Sequence, residues 1–210
     1  MTNQVLSFDE WLTTTDMPDG KRRILRAAVS LFAQNGFHAT STAAIAQEAG
    51  LSDATMFKHF KNKNALLDAI LAPLLEQLVP NVSEQFVTSV QDKATTIDDV
   101  IAFIVSDRWS FMQQNNQVIQ VLINEALANT TLREHMISEI GPKLGHVTTI
   151  LQVLMRSDSS INHQLTGYDL LRIIAGQLMI HFMSQYKFQT QLNNETVLAN
   201  VTLMTQQALR

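Results

Sequence analysis

Apolar residues recur at intervals of three and four along almost the whole chain, the period of a helix with one buried face. No segment alternates for the length of a strand, and no Asn-Gly or Asp-Gly joins two alternating runs, so the pattern predicts an all-α protein. Ser7-Phe8-Asp9-Glu10 has the spacing of a capping box and opens a short helix carrying Phe8, Trp11 and Leu12. A long helix follows from about Pro18 to Asn35. Its apolar stripe is Ile24, Leu25, Ala28, Leu31 and Phe32, and Gly36 stops it. Thr42 to Ala49 and Asp53 to Phe60 read as two short helices, and Asn62 caps a longer one that reaches Val79 and ends at Pro80. Beyond it, helices are predicted over 82–91, 97–114 behind Thr96, 117–128, 131–140 and 143–156. Thr131 and Glu134 stand in capping-box spacing, and two long helices close the chain over 167–188 behind Thr166 and 194–209 behind Asn193.

The stretch Thr42 to Phe60 carries the most information. Two short helices joined by Ala49-Gly50-Leu51-Ser52 have the form of a helix-turn-helix. Ala46 must be small where the second helix crosses the first, and Gly50 supplies the positive φ of a sharp turn. Ile45, Ala49, Leu51 and Met56 fill the inside of the corner, and Ser52 caps the second helix. An ordinary helical hairpin shows one or another of these features, but seldom all of them at this spacing.

Charge sharpens that reading. The chain of 210 residues has a net charge of −4, yet residues 21–66 hold seven basic and two acidic groups, a balance of +5. The remainder holds eight basic and seventeen acidic groups, or −9. That asymmetry suits a small polyanion-binding domain joined to a body of the opposite sign. With 46% hydrophobic and 16% charged residues there is ample apolar surface for a core. No apolar run approaches the ~18 residues of a bilayer span, and the N-terminus lacks a basic start and an apolar signal core. A cytoplasmic protein is expected. With no cysteine there is no disulfide, thiolate metal site or cysteine nucleophile. Glu134-His135 is an isolated pair, and no Gly-x-Ser-x-Gly, Walker loop, dinucleotide fingerprint or HExxH occurs. No catalytic site, metal or cofactor is therefore expected.

Residues 21–70 resemble the DNA-binding domain of the TetR family of bacterial regulators. The matching elements are Ile24-Leu25-x-Ala27-Ala28-x3-Phe32-x3-Gly36-Phe37-x2-Thr40-Ser41, then Ile45-Ala46-x3-Gly50-Leu51-Ser52, then Thr55-Met56-Phe57-x-His59-Phe60-x-Asn62-Lys63-x-Ala65-Leu66-Leu67. The resemblance divides the chain into an N-terminal extension (1–17), a helix-turn-helix DNA-binding domain (18–66) and a helical ligand-binding and dimerisation domain (67–210). It implies a homodimeric repressor that binds palindromic operator DNA and is released by a small-molecule effector. Carried over by position, its DNA contacts fall on Thr42, on Ser52 at the cap, and on Asp53, Ala54, Thr55, Phe57, Lys58 and His59. Lys63 would hold a phosphate at the start of the next helix. Three positions depart from the family pattern: Ala43 replaces a common basic residue, Asp53 replaces Lys, Arg or Gln, and Phe57 replaces a tyrosine hydroxyl. They leave open a helical adaptor of the same fold that has lost specific DNA binding. Phe57 has core packing as its alternative, and Lys61 has a merely solvated charge.

In the larger part, 167–188 is apolar nearly all round, through Leu170, Leu171, Ile173, Ile174, Leu178, Met179, Ile180, Phe182 and Met183. The last helix aligns Val197, Val201, Met204 and Ala208, so these two helices are the expected homodimer interface. Phe103, Met112, Met136 and Met155 are candidates to line an adaptable apolar pocket, or else are ordinary core. Asp107, Arg108, Glu125, Gln177 and His181 are polar groups among apolar neighbours and candidate ligand anchors. For Arg108 the alternatives are an ion pair with Glu125 and an anchor for an anionic ligand.

Overall fold

The computed structural model describes residues 7–78 and 96–210, and among them it contains ten helices and no strand. They are α1 (Phe8–Thr14), α2 (Asp19–Asn35), α3 (Thr42–Glu48), α4 (Asp53–His59), α5 (Lys63–Leu78), α6 (Ile97–Gln114), α7 (Asn116–Ala128), α8 (Thr130–Arg156), α9 (Gly167–Tyr186) and α10 (Asn194–Ala208). The predicted helix over 82–91 lies outside the described residues. No described helix is long and apolar enough to cross a membrane. The chain forms two compact units: 7–78 with 114–138, and 96–113 with 139–210.

The first unit is built around α2. Ile24, Leu25, Ala27, Ala28, Val29 and Phe32 are all buried, on more of the helix than a single stripe would require. The cause is that α2 packs against α3, α4 and α5 and also against α7, which returns from later in the chain. The compact unit built on α2 therefore runs to residue 78 and takes in 114–138. The N-terminal capping box is formed as expected: Ser7 Oγ accepts from Glu10 N–H, and the Glu10 carboxylate accepts from Ser7 N–H at 2.7 Å. That backbone bond, followed by the Ser7 hydroxyl, holds the Glu10 carboxyl below its usual range. Phe8 and Leu12 are buried, and Phe8 N–H donates to Asn115 Oδ1 at 2.9 Å.

The second unit holds α6, α9 and α10 with most of α8. Two of its features differ from the sequence reading. First, the predicted helices 131–140 and 143–156 are one helix, α8, with Pro142 inside it. Proline removes one backbone donor, which costs a helix interior about 3 kcal/mol. The buried positions Leu132, Ile140, Val147, Leu151 and Met155 nevertheless continue through Pro142 in helical phase, and their packing holds the helix together. Its N-terminal donor at Leu132 is capped by Asn129 Oδ1 rather than by Thr131. Second, Val201 is fully buried within the chain, as are Val197 and Thr205, so it is a core residue of the protomer. Thr205 Oγ1 donates to the Val201 carbonyl and accepts from Gln177 Nε2, which ties α10 to α9.

The start of α9 presses directly on α8. Gly167 N–H donates to Gln152 Oε1, and a Cβ at position 167 would run into the Thr148 carbonyl oxygen. Backbone cannot yield there as a flexible side chain would. Gly167→Ala is expected to destabilise the protein by about 1–3 kcal/mol, the usual cost of overpacking. Urea denaturation of the two proteins measures it, and an unchanged midpoint would contradict this packing.

Candidate nucleic-acid interface

The corner between α3 and α4 forms as the residue types require. Ser41 Oγ accepts from Ala44 N–H and caps α3, and Ser52 Oγ accepts from Thr55 N–H and caps α4. Gly50 takes φ +64, a left-handed conformation that glycine adopts without strain. Arg23 of α2 then fastens the corner by donating to the Gly50 carbonyl at 3.2 Å. Ile45, Ala46, Ala49 and Met56 are buried inside.

With Met56 turned inward, α4 exposes Asp53, Ala54, Phe57 and Lys58, while Thr55 and His59 are half-buried. Phe57 is 49% exposed, so it is not a core residue. Ser52 and Thr55 hydroxyls lie 2.9 Å apart and are engaged with each other. Thr42, the first residue of α3, is half-buried beside exposed Ser41 and Ala43. The His59 ring packs on the first turn of α2, where Gly20 leaves room: a Cβ there would lie 3.1 Å from His59 Nε2. The exposed face of α4 thus offers one carboxylate, one methyl, one aromatic edge and one ammonium. Carboxylates can accept from a cytosine amino group, methyls and aromatics suit a thymine methyl, and lysine suits guanine or a phosphate.

Lys63 is placed otherwise than a free phosphate ligand would be. Its half-buried Nζ donates to the carbonyls of Phe37 (2.8 Å), Thr40 (3.0 Å) and His38 (3.4 Å) and sits 4.4 Å from the Phe37 ring centre. All three ammonium donors are engaged within the chain, because the loop after Gly36 presents three backbone acceptors that no helix satisfies. Thr40 is buried too, and its hydroxyl donates to the Gly36 carbonyl at 2.8 Å. Sequence reasoning carried Thr40 and Ser41 only as positions of the family resemblance and gave Arg23 no role beyond its charge. A serine just before a predicted helix was the available signal for the Ser41 cap; nothing local marked the bonds that the other two make.

The ligand candidates are dispersed. Glu125 and Met136 belong to the first unit; Phe103, Asp107, Arg108, Met112, Met155, Gln177 and His181 belong to the second. Met155 is buried, and Phe103, Met112 and Met136 are half-buried. Arg108 pairs with its neighbour Asp107 at 2.5 Å, and its guanidinium lies 5.0 Å from the Phe111 ring centre. In the first unit, Glu125 Oε2 lies 3.9 Å from His38 Nε2. His181 Nδ1 is 2.8 Å from the Gln177 carbonyl oxygen. A polar cleft of about 270 Å³ lies elsewhere, in the first unit, lined by Phe8, Asp9, Arg26, Val29 and residues 114–118.

A two-helix corner with a capped, outward-facing second helix in a basic segment is a helix-turn-helix. Residues 24–70 match the family model described as bacterial regulatory proteins, tetR family. That match covers the segment from within α2 to within α5 and makes it similar to the DNA-binding domain of that family. The chain is 29% identical over 113 residues to the fatty acid metabolism regulator protein of Bacillus subtilis (strain 168), covering 53% of this chain and 56% of that one. It is 28% identical over 126 residues to the HTH-type transcriptional regulator UidR of Escherichia coli (strain K12), covering 58% and 62%. The matches thus span little more than half the length of these relatives. Among solved structures, FadR from Bacillus subtilis in complex with stearoyl-CoA superposes with a TM-score of 0.67 at 21% identity, covering 87% of this chain and 96% of that one. FadR from Bacillus halodurans superposes at 0.70 with 18% identity, covering 91% and 96%. These structures share the fold.

The geometry separates two lysines. Lys63→Met should leave three loop carbonyls without their donor and lower stability by about 1–3 kcal/mol in a urea melt. Lys58→Ala, at an exposed position, should leave stability within about 0.5 kcal/mol of the parent. A Lys63→Met protein as stable as the parent would refute the structural role.

Proposed function

We propose that this protein is a homodimeric transcriptional repressor that binds near-palindromic operator DNA through α3 and α4 and is released by a small, largely apolar effector. The observation that carries the reading is the outward face of α4 (Asp53, Ala54, Phe57 and Lys58), held in place by the Ser52 cap and the Gly50 turn. Thr42, Ser52, Thr55 and His59 complete the contact set. Lys63 acts through the loop it grips. Fatty-acyl compounds are the first effectors to test, because a relative of similar fold is described in complex with stearoyl-CoA. Such a protein works in the cytoplasm and needs no catalytic group.

Pairing of the copies through α9 and α10 is supported by what those helices leave uncovered. On α9, Tyr168, Met179 and Ile180 are exposed; on α10, Leu203 and Met204 are. Gly176 stands in the same stretch, with open space where a Cβ would be. Exposed apolar residues on adjacent turns favour association, and a glycine among them lets helices approach closely.

The effector acts only if it binds one of two dimer states better: one with the recognition helices at groove spacing, one without. A coupling of about 1–3 kcal/mol makes operator binding roughly 5–150-fold weaker. Phe103, Asp107, Arg108, Met112, Glu125, Met136, Met155, Gln177 and His181 are the proposed ligand-site candidates, to be tested singly.

Selection of duplexes from a random pool, with and without acyl ligands, tests the reading. Half-site centres about one helical turn apart, or a multiple, are expected. A protein with about 6–10 phosphate contacts loses on the order of 10³–10⁵ in affinity between 50 and 200 mM salt, and Ala43, Asp53 and Phe57 predict the lower end. A flat salt dependence, or no selected sequence at low salt, would favour the adaptor reading.

Gly176→Leu is expected to split the dimer in sedimentation while leaving the protomer folded, because the added side chain meets nothing within the protomer. A variant that still sediments as the parental dimer would place the interface elsewhere.

A further inference from the structure

The first unit contains a carboxylate that its surroundings leave uncompensated. Glu125, near the end of α7, has a side chain 4% exposed, and its Oε2 is buried without a hydrogen-bond partner. It is the only charge on α7. A buried carboxylate is strongly disfavoured unless a cation or donor comes to it.

The charges on the elements around α7 are engaged otherwise or exposed. On α2, Arg22 donates to the Leu12 and Thr15 carbonyls, Arg23 to the Gly50 carbonyl and Arg26 to Asp9, while Lys21 lies over the Phe60 ring. On α5, Lys63 is held by three carbonyls, and Asp68 and Glu76 are exposed acids. At the start of α8, Arg133 donates to the Ala126 and Leu127 carbonyls and to Thr130, and Glu134 and His135 are exposed. What remains is His38, whose Nε2 is 3.9 Å from Glu125 Oε2 and whose side chain is 79% exposed, free to move on its outer side. A shift of about 1 Å would bring the pair to the ~2.7–2.9 Å of a charged hydrogen bond.

His38 belongs to the loop that leads from α2 into α3. Lys63 holds that loop from the α5 side by its backbone, and His38 is the residue through which α7 can hold it from the other. We propose that Glu125 is a positioning residue for DNA binding: its buried carboxylate draws the His38 imidazole onto α7 and so fixes the loop that delivers α3. This rests on the DNA-binding reading. It adds that α7, distant in sequence, sets the pose of the DNA-reading helices through one side-chain pair.

A double-mutant cycle on the full chain tests it. His38→Gln, Glu125→Gln and the double variant are compared by affinity for a duplex the parent selects, and by amide hydrogen exchange over residues 37–44 without DNA. Each single change should weaken binding about tenfold, the middle of the range for contacting pairs, and the double change no further. Each should also speed exchange over 37–44 alike. His38→Lys, which places a cation facing the carboxylate, should retain affinity when Glu125 is present and lose it when combined with Glu125→Gln. Additive losses, or a lysine that restores affinity in both backgrounds, would mean that His38 touches DNA itself and would overturn the proposal. Glu125→Gln removes a buried charge at nearly constant shape and should fold. If it does not, unchanged exchange in His38→Gln suffices to overturn the proposal, and accelerated exchange there supports it. If the parent selects no duplex, the DNA-binding reading fails on its own account. The exchange cycle then still decides whether the pair exists.

Discussion

Helix α2 is covered by α3, α4, α5 and α7, and the remainder of the first unit is arranged around it. A helix in that position cannot carry a simple amphipathic stripe. Its buried set includes Ala27 and Ala28 among larger residues, and small side chains there allow close approach of a neighbouring helix. Its charges are pushed to the flanks, where Arg22 and Arg26 meet α1 and the segment after it, and Arg23 reaches the Gly50 corner. The basic character of residues 21–26 therefore has a structural component as well as an electrostatic one. Of that cluster, only the field, and not every guanidinium, is available to a polyanion.

The outward face of α4 depends on groups that hold the helix from its other side and from its ends. Met56 turns one side of α4 inward, Ser52 closes its start, and Gly50 sets the angle between α3 and α4. Lys63 then binds the loop before α3 to the beginning of α5. The orientation of the exposed side chains is thus inherited from a rigid corner, which is how a seven-residue helix, too short to be stable alone, can present them reproducibly.

How much of this was legible in the sequence follows from how local each determinant is. The corner could be read because glycine at a positive φ, an alanine at a crossing and serine caps all act within a few residues. The Ser7–Glu10 box was legible for the same reason. The hold of Lys63 on the loop was not legible because its partners are the carbonyls of Phe37, His38 and Thr40, more than twenty positions away, and backbone acceptors leave no mark in a sequence. Gly141-Pro142 looked like a boundary because local propensity ends a helix there; packing of Ile140 and Val147 on either side overrides it. Val201 was correctly seen as apolar and periodic, but periodicity cannot tell a core inside one chain from a face shared by two. The same limit applies to Glu125, whose burial was suspected and whose nearness to His38 no local pattern marks.

The first unit is assembled from pieces separated along the chain, and this bears on how the protein is made. When Leu78 has been synthesised, α2 to α5 are complete, but the surface that α7 covers is bare. About sixty more residues must follow before α7 and the start of α8 can close it. At ribosomal rates of about 5–20 residues per second, that interval is roughly 3–12 s. During it the nascent chain carries an unsealed apolar flank on α2, and the helix against which α3, α4 and α5 pack is not yet fully covered. The order of synthesis thus delays completion of the first unit until a large part of the chain has emerged.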